Sequence, residues 1–138
     1  MKKSITSPTF RGRFLGVAIL VATQLVVGFI HIFFGILMFS GFYSAASFSL
    51  TPMVYGVYTF IYGCLTFVFG YLLWENKRSG WIGTVAVSLF VILVDSLTML
   101  NLFDALGIPS VAGIGEIPFS LLVLVYLLQD GVRSKYNI

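Results

Sequence analysis

Charged side chains are scarce in this sequence of 138 residues: Asp, Glu, Lys and Arg make up 9% of it, whereas 59% of the residues are hydrophobic. Water-soluble domains carry about 25% charged residues, so the scarcity excludes an ordinary soluble domain. The mean hydropathy of +1.02 supports the same conclusion. Cys64 is the one cysteine, which excludes a disulfide within the chain.

Motifs for common cofactors are also missing. A single histidine is a poor metal site, and no glycine-rich phosphate loop or dinucleotide fingerprint occurs. The one histidine lies inside an apolar stretch, and the sequence does not indicate a Ser–His–Asp arrangement for acyl transfer. We therefore predict a protein without enzymatic activity and without a cofactor.

What the chain does contain is four long apolar stretches, at residues 14–39, 52–74, 80–103 and 109–128. About 20 apolar residues are needed for a helix to cross the hydrocarbon layer. Stretches this long without alternating polarity are helices, and short connections favour antiparallel neighbours. The sequence therefore predicts an all-α fold, a single transmembrane antiparallel four-helix bundle that uses the whole chain.

The basic residues predict the orientation of this bundle. All eight lie before the first stretch, between the second and third, or after the fourth: Lys2, Lys3, Arg11, Arg13, Lys77, Arg78, Arg133 and Lys135. Cationic loops stay on the cytoplasmic side, so we expect both termini and the 75–79 loop to be cytoplasmic in a cell membrane. Basic residues at helix ends contact anionic lipid headgroups, which makes the bilayer the expected partner and argues against nucleic acid.

The start of the fourth helix is ambiguous, because Pro118 interrupts the apolar stretch. Proline fits the first turn of a helix better than the interior. The favoured interpretation begins the helix near Ile117, runs it to about Arg133 and leaves residues 108–116 as an outer loop. The alternative begins near Pro109 and kinks at Pro118.

Glycines recur at intervals of seven in the first two stretches, a spacing that keeps them on one slowly drifting stripe. Small residues let two helix backbones approach closely in lipid. We therefore predict face-to-face packing of the first two helices with a left-handed crossing, through Gly28 and Gly35 on one side and Gly56, Gly63 and Gly70 on the other.

Two ionisable residues, His31 and Asp95, lie well inside apolar stretches. A charge at this depth costs about 2.5–3.5 kcal/mol, so such side chains face the bundle interior. They lie about 25 Å and about 21 Å along their helices from the cytoplasmic ends, at similar depth. We therefore expect a hydrogen bond between them. Other polar residues share these helix faces. Gln24 is on the same face of the first helix as His31, and the face of the third helix that carries Asp95 also carries Thr84, Ser88 and Thr98.

Such a buried pair has two interpretations. It either specifies which helices pack together, or it forms a proton-accepting or ligand-binding site. Two further acids, Asp104 and Glu116, are expected at the outer surface. Together they could hold a cation, although hard cations require several oxygen ligands; alternatively they are solvated loop acids.

Two short segments resemble a broad group of uncharacterised prokaryotic four-helix membrane proteins. The first is Leu73-Trp74-Glu75-Asn76-Lys77-Arg78-Ser79-Gly80-Trp81, and the second is Tyr126-Leu127-Leu128 followed by Val132-Arg133. That group carries a Leu-Trp-x-x-Lys junction with a following Trp, and ends on Tyr-Leu-Leu-x-x-x-Val-Arg or Lys. The resemblance implies the four-span topology and implies no activity.

Two functions are consistent with this sequence. The first is a non-enzymatic four-span protein that acts as an accessory or stabilising subunit of a larger membrane assembly, because apolar faces and packing residues dominate. The alternative is a small oligomeric proton-coupled transporter or channel that uses Asp95 and His31. The expected partners are accordingly other membrane subunits or further copies of the chain.

The orientation can be tested with a membrane-impermeant thiol reagent added outside intact cells, after Cys64 is replaced by alanine. We expect a cysteine placed at Ser47 to be labelled and one placed at Ser79 to be spared, because only the first lies outside. Labelling of the Ser79 variant alone would contradict this orientation.

Overall fold

The computed structural model describes residues 9–10, 13–40, 50–100, 102 and 110–138. Nearly all of this part is helical. The helices are α1 (Leu15–Phe39), α2 (Leu50–Trp74), α3 (Arg78–Met99), α4 (Ser110–Leu127) and the short α5 (Asp130–Arg133), which continues into a 3₁₀ turn, Ser134–Tyr136. Two strands of two residues each, β1 (Thr9–Phe10) and β2 (Arg13–Phe14), pair antiparallel just before α1.

Three helices, α1, α2 and α3, are long and apolar enough to cross a membrane. A fourth span results if α4 is counted together with the segment that follows it, although the two parts are bent by 72°. These lengths and compositions are those of a helical membrane protein.

The favoured interpretation of the fourth helix is wrong. Helix α4 begins at Ser110, includes Pro118 in its interior and ends at Leu127, so the predicted outer loop at 108–116 is helical from Ser110 onward. The start near Pro109 is the better prediction. Proline is tolerated inside membrane helices because neighbouring groups satisfy the freed carbonyl. The predicted extension to Arg133 is also absent, because α5 is a separate helix.

The other helix limits differ only slightly from the apolar stretches. Helix α2 begins two residues before Pro52, which therefore lies in its first turn, where proline is tolerated. Helix α3 ends at Met99 rather than Phe103. Such differences are expected, because hydropathy extends into the turns that follow a membrane helix.

Helices α1 and α2 approach each other most closely at their glycines. A Cβ atom built at Gly63 would lie 2.7 Å from both the Gly28 carbonyl oxygen and the Ile32 nitrogen. At Gly35 it would lie 2.7 Å from Phe60 Cβ. Backbone, rather than a mobile side chain, therefore occupies the space at Gly63.

The order of these contacts gives the direction of the helices. Gly28 contacts Gly63, whereas Gly35, further along α1, contacts Phe60, which comes earlier in α2. Gly70, near the end of α2, lies beside Gln24. Residue numbers therefore rise along α1 as they fall along α2, and the two helices run antiparallel. The handedness of their crossing stays a prediction.

A tight turn connects α2 to α3. Asn76 adopts a left-handed backbone conformation with φ of 54°, which asparagine tolerates better than most residues. The backbone N–H groups of Asn76 and Lys77 donate to the carbonyls of Leu73 and Leu72. The α2 backbone at Leu72 and Leu73 lies directly against Gly80, where no side chain would fit.

An apolar cluster closes the end of the bundle near this turn. Its buried residues come from α1, α2, α3, α4 and the C-terminal segment: Val17, Leu20, Val21, Leu73, Trp81, Val123, Leu127, Val132 and Tyr136. We refer to these nine residues as the end cluster. The Tyr136 hydroxyl donates to the Leu73 carbonyl at 3.1 Å, and Trp81 Nε1 donates to the Leu127 carbonyl at 2.9 Å. The Leu127 carbonyl is at the end of its helix, where carbonyls lack partners within the helix, whereas the Leu73 carbonyl accepts from Tyr136 in addition to the Asn76 N–H.

Replacing Gly63 with alanine should lower the thermal midpoint in detergent, because the added methyl group meets backbone atoms that cannot move independently. The expected cost is about 1–3 kcal/mol. Gly115→Ala is the matched control, since nothing lies within 4 Å of its Cβ position. Equal midpoints for the two variants would contradict the close approach of α1 and α2.

Candidate intramembrane polar site

A polar pair links α1 to α4 inside the helical region. His31 Nε2 lies 3.2 Å from Glu116 Oε1, and the two side chains are 18% and 22% exposed. His31 Nδ1 lies 2.8 Å from the Val27 carbonyl oxygen, one turn earlier on the same helix. Both ring nitrogens of His31 are therefore engaged.

The partners of this imidazole restrict where its protons can be. The Val27 carbonyl can only accept, so Nδ1 must carry a hydrogen and donate it. The bond to Glu116 then has two forms: a protonated Nε2 donates to the carboxylate, or a neutral Nε2 accepts from a protonated carboxyl. The two forms differ by the position of one proton along a single hydrogen bond. The pair can therefore hold and pass a proton without rearranging its side chains.

Asp95 of α3 is the most deeply buried acid among the described residues. It is 2% exposed, and its Oδ2 atom has no hydrogen-bond partner in the described part of the chain. A Cβ atom at Gly113 would lie 3.2 Å from Asp95 Cβ, so a glycine on α4 allows this close packing. Gly113 is one turn before Glu116 on α4, so Asp95 packs near the pair of His31 and Glu116.

The predicted hydrogen bond between His31 and Asp95 is wrong. Glu116 takes the position that Asp95 was expected to occupy. The reason is the early start of α4, which places Glu116 on a helix at the depth of His31 instead of in an outer loop. Glu116, predicted as an outer-surface acid, is a partly buried residue of α4, and its position relative to the membrane surface stays a prediction. Asp104 lies outside the described residues.

Helix α2 supplies aromatic side chains to this site. The Tyr62 ring meets the His31 ring edge to face, with centroids 4.7 Å apart and planes at 87°. The Tyr58 hydroxyl is buried and has no hydrogen-bond partner among the described residues, and the charge of Asp95 acts on it. Sequence reasoning missed both tyrosines, although their spacing of four places them on one helix face.

We refer to His31, Glu116, Asp95, Tyr58 and Tyr62 as the polar centre. All four long helices contribute to it, α2 with two residues. Across the ranges that the structure describes, no group of three or more His, Cys, Asp and Glu side chains could hold a metal ion.

The remaining predicted polar residues are buried, but they lie outside this centre or bond locally. Thr98 Oγ1 donates to the Val94 carbonyl of its own helix at 2.9 Å. Gln24, Thr84 and Ser88 are each at most 5% exposed. Three further buried polar residues were not predicted from the sequence: Thr59 and Thr66 on α2 and Ser120 on α4, each at most 4% exposed. The two threonines are seven residues apart and share one helix face, whereas Ser120 occurs singly in an apolar run.

No protein-family model, curated protein or solved structure matches this chain. The resemblance to prokaryotic four-helix membrane proteins therefore stays a prediction. Any function must be inferred from the residues themselves.

The pair of His31 and Glu116 can be tested with a double-mutant cycle of the two alanine variants. Polar contacts between membrane helices are worth about 0.5–2 kcal/mol, and we expect a coupling energy in this range from thermal unfolding in detergent. Asp130 and Arg133 provide the control, because their 3.9 Å contact is on the surface, where coupling is near zero. Equal coupling in the two cycles would contradict the structural link between α1 and α4.

Proposed function

We propose that this protein is a four-span integral membrane protein of the cell membrane, with cytoplasmic termini, that exchanges protons at the polar centre and couples them to transport. The observation that carries this proposal is the proton-sharing geometry of His31 and Glu116 beside the buried acid Asp95. Polar and ionisable groups at this depth mark ion and proton pathways.

The charges of the polar centre support proton binding. The centre contains two carboxyl groups, of which Glu116 contacts the imidazole, so the centre carries a net charge of −1 when both acids and His31 are ionised. An unbalanced charge is costly in a low-dielectric interior. A proton that binds to a carboxylate oxygen removes this charge, and its release restores it. Asp95 is the group for this exchange, because its Oδ2 atom has no bond to break.

The role of Glu116 and His31 is then to transfer a proton between α4 and α1. When Nε2 donates its hydrogen to the Glu116 carboxylate, the imidazole becomes neutral and the carboxyl becomes neutral in the same step. Nδ1 keeps its hydrogen throughout, because the Val27 carbonyl holds it. A solute larger than a proton would require a path between associated copies of the chain.

A second candidate function is that of an accessory or stabilising subunit. A groove of about 420 Å³ between α1 and α2 favours it. Its lining is almost wholly apolar, and it includes Gly35, Gly56 and Phe60. A small-residue groove of this kind accepts a protruding side chain from a helix of another membrane protein.

Proton exchange can be tested in proteoliposomes that contain a pH-sensitive dye. We expect Asp95→Asn to abolish protein-dependent proton movement without lowering the thermal midpoint, because asparagine keeps the shape and cannot exchange a proton. Asp130→Asn is the matched control, since Asp130 is fully exposed beyond α4, and it should retain wild-type proton movement.

Native mass spectrometry of the mildly extracted protein separates the two functions. A transporter should be extracted alone or as copies of one chain, and Asp95→Asn should leave that state unchanged. Co-extraction with other membrane proteins, together with dissociation by Asp95→Asn, would overturn the transporter and support the subunit.

A further inference from the structure

A second set of buried polar residues lies between the polar centre and the end cluster. It includes Gln24 of α1, Thr66 of α2 and Ser120 of α4, together with Thr84 and Ser88 of α3, and each is at most 5% exposed. We refer to these five residues as the inner polar level. As in the polar centre, every long helix contributes.

Contacts between the helices show that these residues share one depth. Gln24 lies against Gly70, one turn after Thr66, and the neighbouring residue Phe69 packs on Gly83, next to Thr84. On the other side, α3 and α4 meet at Asp95 with Gly113 and at Trp81 with Leu127. Ser88 and Ser120 are each midway between these two contacts. The five side chains therefore form a layer inside the helices.

Unpartnered oxygen atoms occur in this layer as well as in the polar centre. Gln24 Oε1 and Thr84 Oγ1 are buried and have no hydrogen-bond partner in the described ranges, as is also the case for Asp95 Oδ2. A buried polar group without a partner costs about 1–3 kcal/mol by protein mutational data. Native proteins normally satisfy such groups with ordered water.

The inner polar level ends at the end cluster. Thr84 and Asp95 are separated by about 16 Å along α3, and Trp81 of the end cluster lies one turn beyond Thr84. Leu73, Leu127 and Tyr136 are each at most 1% exposed at this end. The interior therefore changes from polar to fully apolar within one helical turn.

We propose that the inner polar level is a water-filled extension of the polar centre, and that the end cluster is the gate that closes it toward the termini. The proton at Asp95 then moves inward through water held by Gln24, Thr84 and their neighbours. That a proton moves through this layer rests on the proposed function. The presence of water in the layer does not depend on it.

The hydration can be tested with Ag⁺, a small ion that reaches thiols through water, on Cys64→Ala protein in proteoliposomes. We expect Ag⁺ to bind Ser120→Cys and Thr84→Cys, and the bound ion is detected as added mass.

Two controls should not bind Ag⁺. Val123→Cys is equally buried but belongs to the end cluster, and Leu122→Cys is 70% exposed on the face of α4 that points away from the other helices. Ser79→Cys, exposed in the first turn of α3, is the positive control. Binding at Ser79→Cys with none at either layer position would overturn the water-filled layer.

The gate is tested in the same assay by adding Tyr136→Ala to the Val123→Cys protein. Loss of the Tyr136 ring and of its bond to the Leu73 carbonyl should open the end cluster, so that Ag⁺ binds at Val123→Cys. Continued absence of binding would overturn the gate.

Failure of the proposed function has a different signature. Ag⁺ binding at Ser120→Cys without protein-dependent proton movement would keep the water-filled layer and overturn proton transport. Proton movement by a protein in which the thiols at Ser120→Cys and Thr84→Cys do not bind Ag⁺ would keep proton transport and overturn the water-filled layer.

Discussion

Polar groups in a lipid environment cannot turn to solvent, so they must find partners within the protein. The bond between His31 Nε2 and Glu116 Oε1 meets this requirement across 85 residues of sequence and joins α1 to α4. The packing of α3 against α4 follows the same requirement, because Gly113 brings the α4 backbone onto Asp95. The contacts of α4 with α1 and α3 thus bring the two acids of the centre together.

Burial divides the interior into three layers along the helices. The polar centre contains the ionisable groups, the inner polar level contains hydroxyl and amide groups, and the end cluster contains none of either except the aromatic donors of Trp81 and Tyr136. Those two donors are satisfied by helix-terminal carbonyls. Unpartnered oxygens occur at Asp95 and again at Gln24 and Thr84, and this order of the layers is the basis of the proposed water-filled layer.

The glycine contacts show why the helices can hold these groups at short range. Gly28 and Gly63 let α1 and α2 meet backbone to backbone, which brings Tyr62 within ring contact of His31. A bulkier residue at Gly63 would separate the helices and widen the centre. The same close packing leaves the outward faces of the helices apolar, as a membrane environment requires.

Several features of this arrangement are readable from local patterns. The length of the apolar stretches predicts the long helices, and a step of 100° per residue places His31 and Asp95 on faces that turn inward. The distribution of Lys and Arg predicts an orientation, since each cation acts on its own helix end. The helices and their inward faces depend only on a residue's neighbours along the chain, which is why the sequence alone suffices for them. The orientation stays a prediction.

The choice of partners is a property of the tertiary structure. Proline prefers the first turn of a helix, so Pro118 by itself suggests that a helix begins there. In the structure the helix already begins at Ser110, and residues before Pro118 make contacts with other helices, Gly113 with Asp95 and Glu116 with His31. The local cost of proline is overcome by packing and by a satisfied polar pair. Thr66 and Ser120 were not predicted as buried residues, and only the packing of the helices places them in the interior. The sequence by itself determined the long apolar helices and their polar faces, apart from the start of α4, because these follow from short-range periodicity. Only the tertiary structure decided which polar groups meet, because that depends on the register between helices distant in the chain.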